Sequence, residues 1–147
     1  MKVDASNWLI LKELQQNARI PLSEIAKKVS MSAPAVSERI QKMEDAGIIK
    51  GYSAELDMNK LGYNLGVIIS IKIRFGQVAA FEKFLQGVPE IQECLKLTGN
   101  DCMLMRGYVR NTQHLDELNV RLTEYGELTT SLVLNSIIQE RIYDEAF

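Results

Sequence analysis

The chain has little of what marks an exported protein, a metalloprotein or a hydrolytic enzyme. It holds one histidine, two cysteines and three prolines in 147 residues. Cys94 and Cys102 lack metal-ligand spacing, and the single His114 adds too little to complete a site. Two cysteines do not staple a disulfide scaffold either, so both are read as reduced cytosolic thiols. No metal and no cofactor is expected. There is no Ser/His/Asp set and no phosphate-cradling glycine loop. Apolar runs reach about four residues, against the ~18–20 that a membrane-spanning helix needs. Met1-Lys2-Val3-Asp4 leads into a mixed helix, not into a signal-peptide pattern. The expectation is a cytoplasmic protein with no membrane partner. Positive charge is scarce too: the net charge is −2, so no whole-molecule field advertises a polyanion partner.

What is present is an ordinary folded composition, 46% hydrophobic and 24% charged, sized for one domain or two small ones. The charge is unevenly placed. Residues 1–56 carry eight basic and seven acidic residues, and the remainder nine basic and twelve acidic. A slightly basic head on an acidic body has the sign of a nucleic-acid-binding head. Hydrophobic periodicity changes at the same place, from helical to mixed. The chain divides into residues 1–50, a linker strand and hinge over 51–63, and a second domain over 64–147.

In the head, Asp4 caps a helix running to about Asn17, with Ile10, Leu11, Leu14 and Ala18 as its stripe. After Pro21 a short helix spans about 23–29, with Ile25, Ala26 and Val29 inward. Ser32 caps a third helix, Pro34 is tolerated in its first turn, and Gly47 ends it. Val36, Ile40 and Met43 form its buried stripe. Ala35, Glu38, Arg39 and Lys42 fall on the outward side, with Ser32 and Ser37 near the edges. Such a small, polar and cationic face fits a major groove about 12 Å wide. Lys27, Lys28, Lys42 and Ser32 are the candidate phosphate contacts, and Ala35, Glu38 and Arg39 the candidate base readers. A short helix, a short turn and a capped third helix make a helix-turn-helix, winged-helix-like head. The partner it predicts is double-stranded DNA. Residues 48–56 read as a strand, which needs a partner, either across a dimer or as a connector.

The second half alternates between strand and helix. Val67, Ile69, Ile71, Ile73 and Phe75 mark a half-buried strand, followed by a helix over about 78–86. A second strand covers 91–98, with Ile91, Leu95 and Leu97 on one face, and Thr98 to Asp101 reads as a hairpin turn. A third strand runs from Cys102 to Val109. Asn111 or Thr112 caps a helix that ends at Gly126, and a fourth strand spans 128–138. The order β-α-β-β-α-β is the ferredoxin-like split arrangement, so the fold class is α+β. The other sheet face is expected to carry Ile68, Met103, Met105, Val133 and Ile137, an apolar surface that calls for dimerisation.

These residues resemble the Lrp/AsnC family of prokaryotic transcription regulators, also called feast/famine regulators, over nearly the whole chain. The resemblance is carried by Asp4, Ile10-Leu11, Leu14, Ala18-Arg19, Leu22 through Ala26, the run from Ser32 to Ile40, and Met43 through Ile49. The Ser37-Glu38-Arg39-Ile40 stretch is the most specific part, and the Gly99-Asn100-Asp101 turn also matches. The departures are Asn7 and Asn17 where the family has Asp, Trp8 and Leu9 in place of polar residues, and Ser30 where Gly is common. The resemblance implies homodimers joined by the linker strand and sheet faces, often assembled into octamers. It also implies a small-molecule effector, an amino acid or a relative of one. That molecule would sit near Gly99, Asn100 and Asp101 at an interface between dimers, with Thr130 lining the pocket. Asp101 offers a carboxylate to an ammonium, and the backbone N–H groups of the turn suit a carboxylate. Alternatively the turn is only a hairpin in which Gly99 serves a positive φ.

The function expected is a sequence-specific, nucleoid-associated transcription regulator of amino-acid or nutrient metabolism, and not an enzyme. One alternative is a nucleoid-type architectural protein without effector. The other is a tetrapyrrole decarboxylase-like enzyme, for which His114, read as solvated near a helix cap, is poor support.

Overall fold

The computed structural model describes residues 2–99, 103–139 and 141–145. The chain forms two compact units, Met1–Glu55 with Ile138–Phe147, and Leu56–Ile137. The pattern of the sequence assigns residues 138–147 to the second domain, whereas in the structure they group with the first unit. The side-chain amide of Gln15 donates to the Tyr143 carbonyl at 2.8 Å and accepts from the Tyr143 N–H at 2.9 Å. Lys12 lies 3.9 Å from Asp144.

The first unit contains α1 (Ala5–Gln16), α2 (Leu22–Lys28) and α3 (Ala33–Asp45). The Asp4 carboxylate accepts from the Asn7 N–H, and the Ser32 hydroxyl accepts from the Ala35 N–H, so both expected caps form. Ile10, Ile25, Ala26, Val36, Ile40 and Met43 make one core. Gly47 takes φ +68 after α3, the left-handed exit that glycine tolerates. Between α2 and α3, Ser30 adopts φ +54. A side chain there is strained, and glycine would relieve the strain while losing more backbone entropy on folding. Ser30→Gly is therefore expected to raise stability by about 0.5 kcal/mol, read as a higher urea midpoint at unchanged m-value. A lower midpoint would show that the serine is better tolerated than its backbone implies.

Residues 50–57 are irregular backbone, not the expected strand. A lone strand leaves its ladder groups unpaired, and among the described residues none pairs with it. Tyr52 instead donates its hydroxyl to Glu44 at 2.8 Å. Burial, then the Glu44 carboxylate, pushes the phenol up to about 12.

The second unit follows the expected order: β1 (Leu65–Ile73), α4 (Val78–Leu85), β2 (Ile91–Lys96), β3 (Met103–Val109), α5 (Thr112–Thr123) and β4 (Gly126–Leu132). The four strands form one antiparallel sheet in the order β2-β3-β1-β4. The core gathers Val67, Ile69 and Ile71 of β1 with Phe81, Leu118 and Leu122 of the helices. Tyr125 stacks on Phe84 with ring centroids 4.9 Å apart.

Four local expectations change. Phe75 lies past the end of β1 and is fully exposed. β4 stops at Leu132 because β1 begins at Leu65; Val67 pairs with Leu132, and the last rung is Val133 N–H to Gly66 carbonyl at 2.8 Å. Met103 and Met105 stand opposite Ile71 and Ile69 and so share their buried, helix-covered face. The open face instead carries Ile68, Leu104 and Tyr108. Finally, a register shift between Ile91 and Glu93 sets Ile91 opposite Gly107 and Leu95 opposite Leu104. That bulge puts Ile91 and Leu95 on opposite faces.

Candidate DNA-contacting helix and effector region

Helix α3 buries Val36, Ile40 and Met43 and turns Ser37, Glu38 and Lys42 to solvent, with Ala35 partly exposed beside them. The exposed face is small and polar, with few bulky groups to hold a duplex away. Its charges are already paired. Lys42 lies 2.7 Å from Glu38 on the next turn, and the Lys42 ammonium holds the Glu38 carboxyl below its usual range. On α2, Lys27 pairs with Glu24 at 3.1 Å, and Lys28 pairs with Glu13 of α1. The two pairs exposed on both sides, Lys42–Glu38 and Lys27–Glu24, contribute about 0–1 kcal/mol each. Breaking such a pair to free the lysine is correspondingly cheap. The Ser32 hydroxyl is engaged in capping, accepting from the Ala35 N–H at 3.3 Å.

Arg39 is placed differently from the other candidates. Its guanidinium donates to both carboxylate oxygens of Asp4, at 3.0 and 2.8 Å, and to the Asn7 Oδ1 at 2.9 Å. Asn7 is only 1% exposed. Arg39 thus joins the start of α1 to the middle of α3. Pattern reading finds Asp4 as a cap and Asn7 as a departure, but not their common partner.

The same contacts make the head acid-sensitive. The Arg39 hydrogen bond first, then the Asn7 N–H, hold the Asp4 carboxyl below its ordinary value. A depressed carboxyl stabilises the fold above its unfolded pKa and loses that contribution as pH falls through the folded one. The urea midpoint of the head, followed by Trp8 fluorescence, is expected to fall as pH drops below about 4. Asp4→Asn is expected to flatten that part of the profile, and an unchanged profile would remove Asp4 from the acid response.

The effector residues are only partly visible. Asn100 and Asp101 lie outside the described residues. Gly99 is exposed with φ +109, a backbone that glycine readily adopts. Thr130 sits on the helix-covered side of β4 and donates to Asn119 Oδ1 of α5 at 3.0 Å. β1 lies between β4 and β3, so within one chain Thr130 is two strands removed from the strand that follows the turn.

His114 is neither free nor simply solvated. Its side chain is 23% exposed, and its Nε2 lies 3.0 Å from Glu90 Oε1. Arg121 donates to the same oxygen. These partners are 24 and 31 positions from Glu90, too far for periodicity to connect.

Comparison with known proteins agrees with this geometry. Residues 3–50 match the family described as winged helix-turn-helix DNA-binding, and residues 66–143 match the Lrp/AsnC ligand binding domain. The chain is 33% identical to the transcriptional regulator LrpB of Bacillus subtilis, over 93% of this chain and 92% of that one. The solved structure of B. subtilis LrpC superposes with a TM-score of 0.90 at 26% identity, covering 95% of this chain and 100% of that one. A transcriptional regulator from Neisseria meningitidis, solved as an L-methionine complex, gives a TM-score of 0.86 at 28% identity over 97% and 96% of the two chains. No helix among the described residues is long and apolar enough to cross a membrane.

Proposed function

The chain belongs to the Lrp/AsnC family of DNA-binding transcription regulators, and we propose that it binds its sites sequence-specifically as a homo-oligomer gated by an amino acid. The observation that carries the reading is the capped α3 with its small, polar outer face, on a chain that also holds the family's ligand-binding domain. Ala35, Ser37 and Glu38 are assigned to the bases, and Lys27, Lys28, Lys42 and Ser32 to phosphates. Arg39 is assigned to positioning α3.

Dimerisation is supported by apolar surface that one copy leaves uncovered: Leu132 and Val133 are each 45% exposed, Leu134 95% and Ile137 93%. The irregular residues 50–56 also offer backbone that enters no ladder within one copy. A dimer presents two heads, so half-sites about 34 Å apart or a multiple of that are expected. The effector is assigned to Gly99, Asn100, Asp101 and Thr130, and the two-strand separation within one chain suits a pocket completed between copies. A relative's methionine complex supports the amino-acid class.

The test couples DNA selection from a random pool with thermal shift against the standard amino acids. A recovered palindrome, an amino acid that raises Tm, and loss of that shift in Asp101→Ala are expected. A pool without consensus, bent strongly and indifferent to every amino acid, would overturn the reading in favour of an architectural protein.

A further inference from the structure

The last residues of the chain group with the head, and Tyr143 is held there by its backbone. Gln15 of α1 gives both halves of its carboxamide to that one residue. Nε2 donates to the Tyr143 carbonyl at 2.8 Å, and Oε1 accepts from the Tyr143 N–H at 2.9 Å. Nε2 also donates to the Leu11 carbonyl one turn back, at 3.2 Å. That bond lies within α1, so it orients the amide independently of Tyr143. A paired donor and acceptor is what one strand offers another in a ladder, and it reads backbone whatever the side chain. Identity comes from the flanks. Lys12 lies 3.9 Å from Asp144, and Tyr143 lines a groove of about 670 Å³.

One wall of the groove is α1, with Trp8, Leu11 and Leu14, and another is the segment that leaves α3, with Ile49 and Tyr52. Between Ile49 and Tyr52 the chain passes Gly51 at φ +155, where an added Cβ would meet nothing within 4 Å. Side chains resist that backbone and no packing holds it, so the linker can pivot there. The Tyr52–Glu44 hydrogen bond is one restraint on the pivot. The tail, seated in the same groove, supplies a second from the α1 side.

This second restraint is built to open. Tyr143 is 56% exposed, and Lys12 and Asp144 are each about half exposed, so their ion pair is weak. Segments held by few, exposed contacts open far more easily than the fold as a whole. Attachment to the chain gives the tail an effective concentration in the ~mM range, which keeps a weak contact closed. Ala35, Ser37, Glu38 and Lys42 are not among the groove's lining residues, so a tail seated there leaves the outer face of α3 open to DNA. Its effect falls on direction and not on access.

We infer that the C-terminal segment is a detachable strap that braces α1 against the linker and fixes the direction in which the linker leaves the head. The inference rests on the paired-head reading above, in which the two linkers set how the heads are phased along the duplex. A closed strap demands half-sites in one phase, and an open strap tolerates others.

Gln15→Ala removes both backbone bonds at an exposed helix position that alanine suits, so the full-length variant keeps its fold. Trp8 is the only tryptophan and lines the groove, so its emission reports the strap. A chain ending at Ile137, and Gln15→Ala, should both shift that emission to the red. A synthetic peptide of residues 138–147 at ~mM concentration should reverse the shift saturably in the shortened chain, and not when that chain also carries Gln15→Ala. DNA binding is then compared on paired half-sites one helical turn apart and on the same pair moved ~5 bp further. The unaltered protein should favour the in-phase pair about tenfold or more, and Gln15→Ala should cut this to about twofold with affinity for an isolated half-site unchanged. A peptide that leaves Trp8 unmoved would overturn the strap. Equal phase preference in the two proteins would overturn the brace. Loss of isolated half-site binding in step with phase preference would overturn it too, reducing the tail to a support for the head's fold. An unaltered protein indifferent to phase would overturn the paired-head reading instead, and the peptide titration then decides the strap alone.

Discussion

Arg39→Ala is expected to unfold the head more easily and to abolish binding to every DNA sequence, not to relax the choice among sequences. Arg39 is the shared donor for Asp4 and for the buried Asn7. Its loss orphans the Asn7 side-chain oxygen in a site 1% exposed, which costs about 2–3 kcal/mol. The lost contact also frees α3 to shift against α1, and a shift of about 1 Å is enough to degrade a positioned contact. Arg39→Lys is expected to recover little, because one ammonium does not reproduce a planar fork spanning two partners. Trp8 is the only tryptophan and lies within α1, so its fluorescence reports unfolding of this unit in urea. A variant that keeps wild-type stability and non-specific affinity but changes its preferred base would return Arg39 to the major groove.

Gly107→Ala is expected to destabilise the second unit strongly. A Cβ at Gly107 would stand 2.2 Å from the Glu90 carbonyl oxygen and 3.3 Å from the Ile91 Cα. Both neighbours are backbone, and the Tyr108 N–H to Glu90 carbonyl bond of 3.0 Å holds them in place. The strand has no rotamer with which to yield, so overpacking is expected to cost about 3 kcal/mol. Gly66→Ala is the control: its Cβ would meet side chains of Val133 and Tyr108 at 3.4 and 3.5 Å, an ordinary contact, and should cost under about 1 kcal/mol. Hydrogen exchange of β1 and β3 amides reads both. Equal protection in the two variants would mean that the bulge moves aside at no cost. Because the Glu90 carbonyl meets Gly107 and the Glu90 side chain holds His114, a displaced Gly107 should also move the His114 imidazole NMR signal.

The elements legible in the sequence are those whose signals lie within a few positions of one another. Val36, Ile40 and Met43 at helical spacing, Ser32 before them and Gly47 after them mark α3, and the structure keeps all five in those roles. Spacings of three and four put side chains on one helix face whatever surrounds them. The alternation of Val67, Ile69 and Ile71 places β1 equally well. The order of strands and helices then leaves few topologies to choose from.

Other features depend on which strands meet, and local spacing carries no such information. Met103 and Met105 alternate with Leu104 as a strand should, but only pairing with Ile71 and Ile69 decides which face is covered. The Ile91–Glu93 bulge reverses the side of every residue after it, and no residue type announces it. The strand expected at 48–56 fails within one chain because a ladder needs a neighbour. The functional reading divides in the same way. The outward residues of α3 are fixed by its period, so the candidate DNA face can be read from the sequence alone. The commitment of Arg39 to Asp4 and Asn7, and the meeting of Glu90 with His114 and Arg121, were decided by the tertiary structure. A charged side chain takes whichever partner the packed fold brings within 3 Å, and that distance is set by the path of the whole chain.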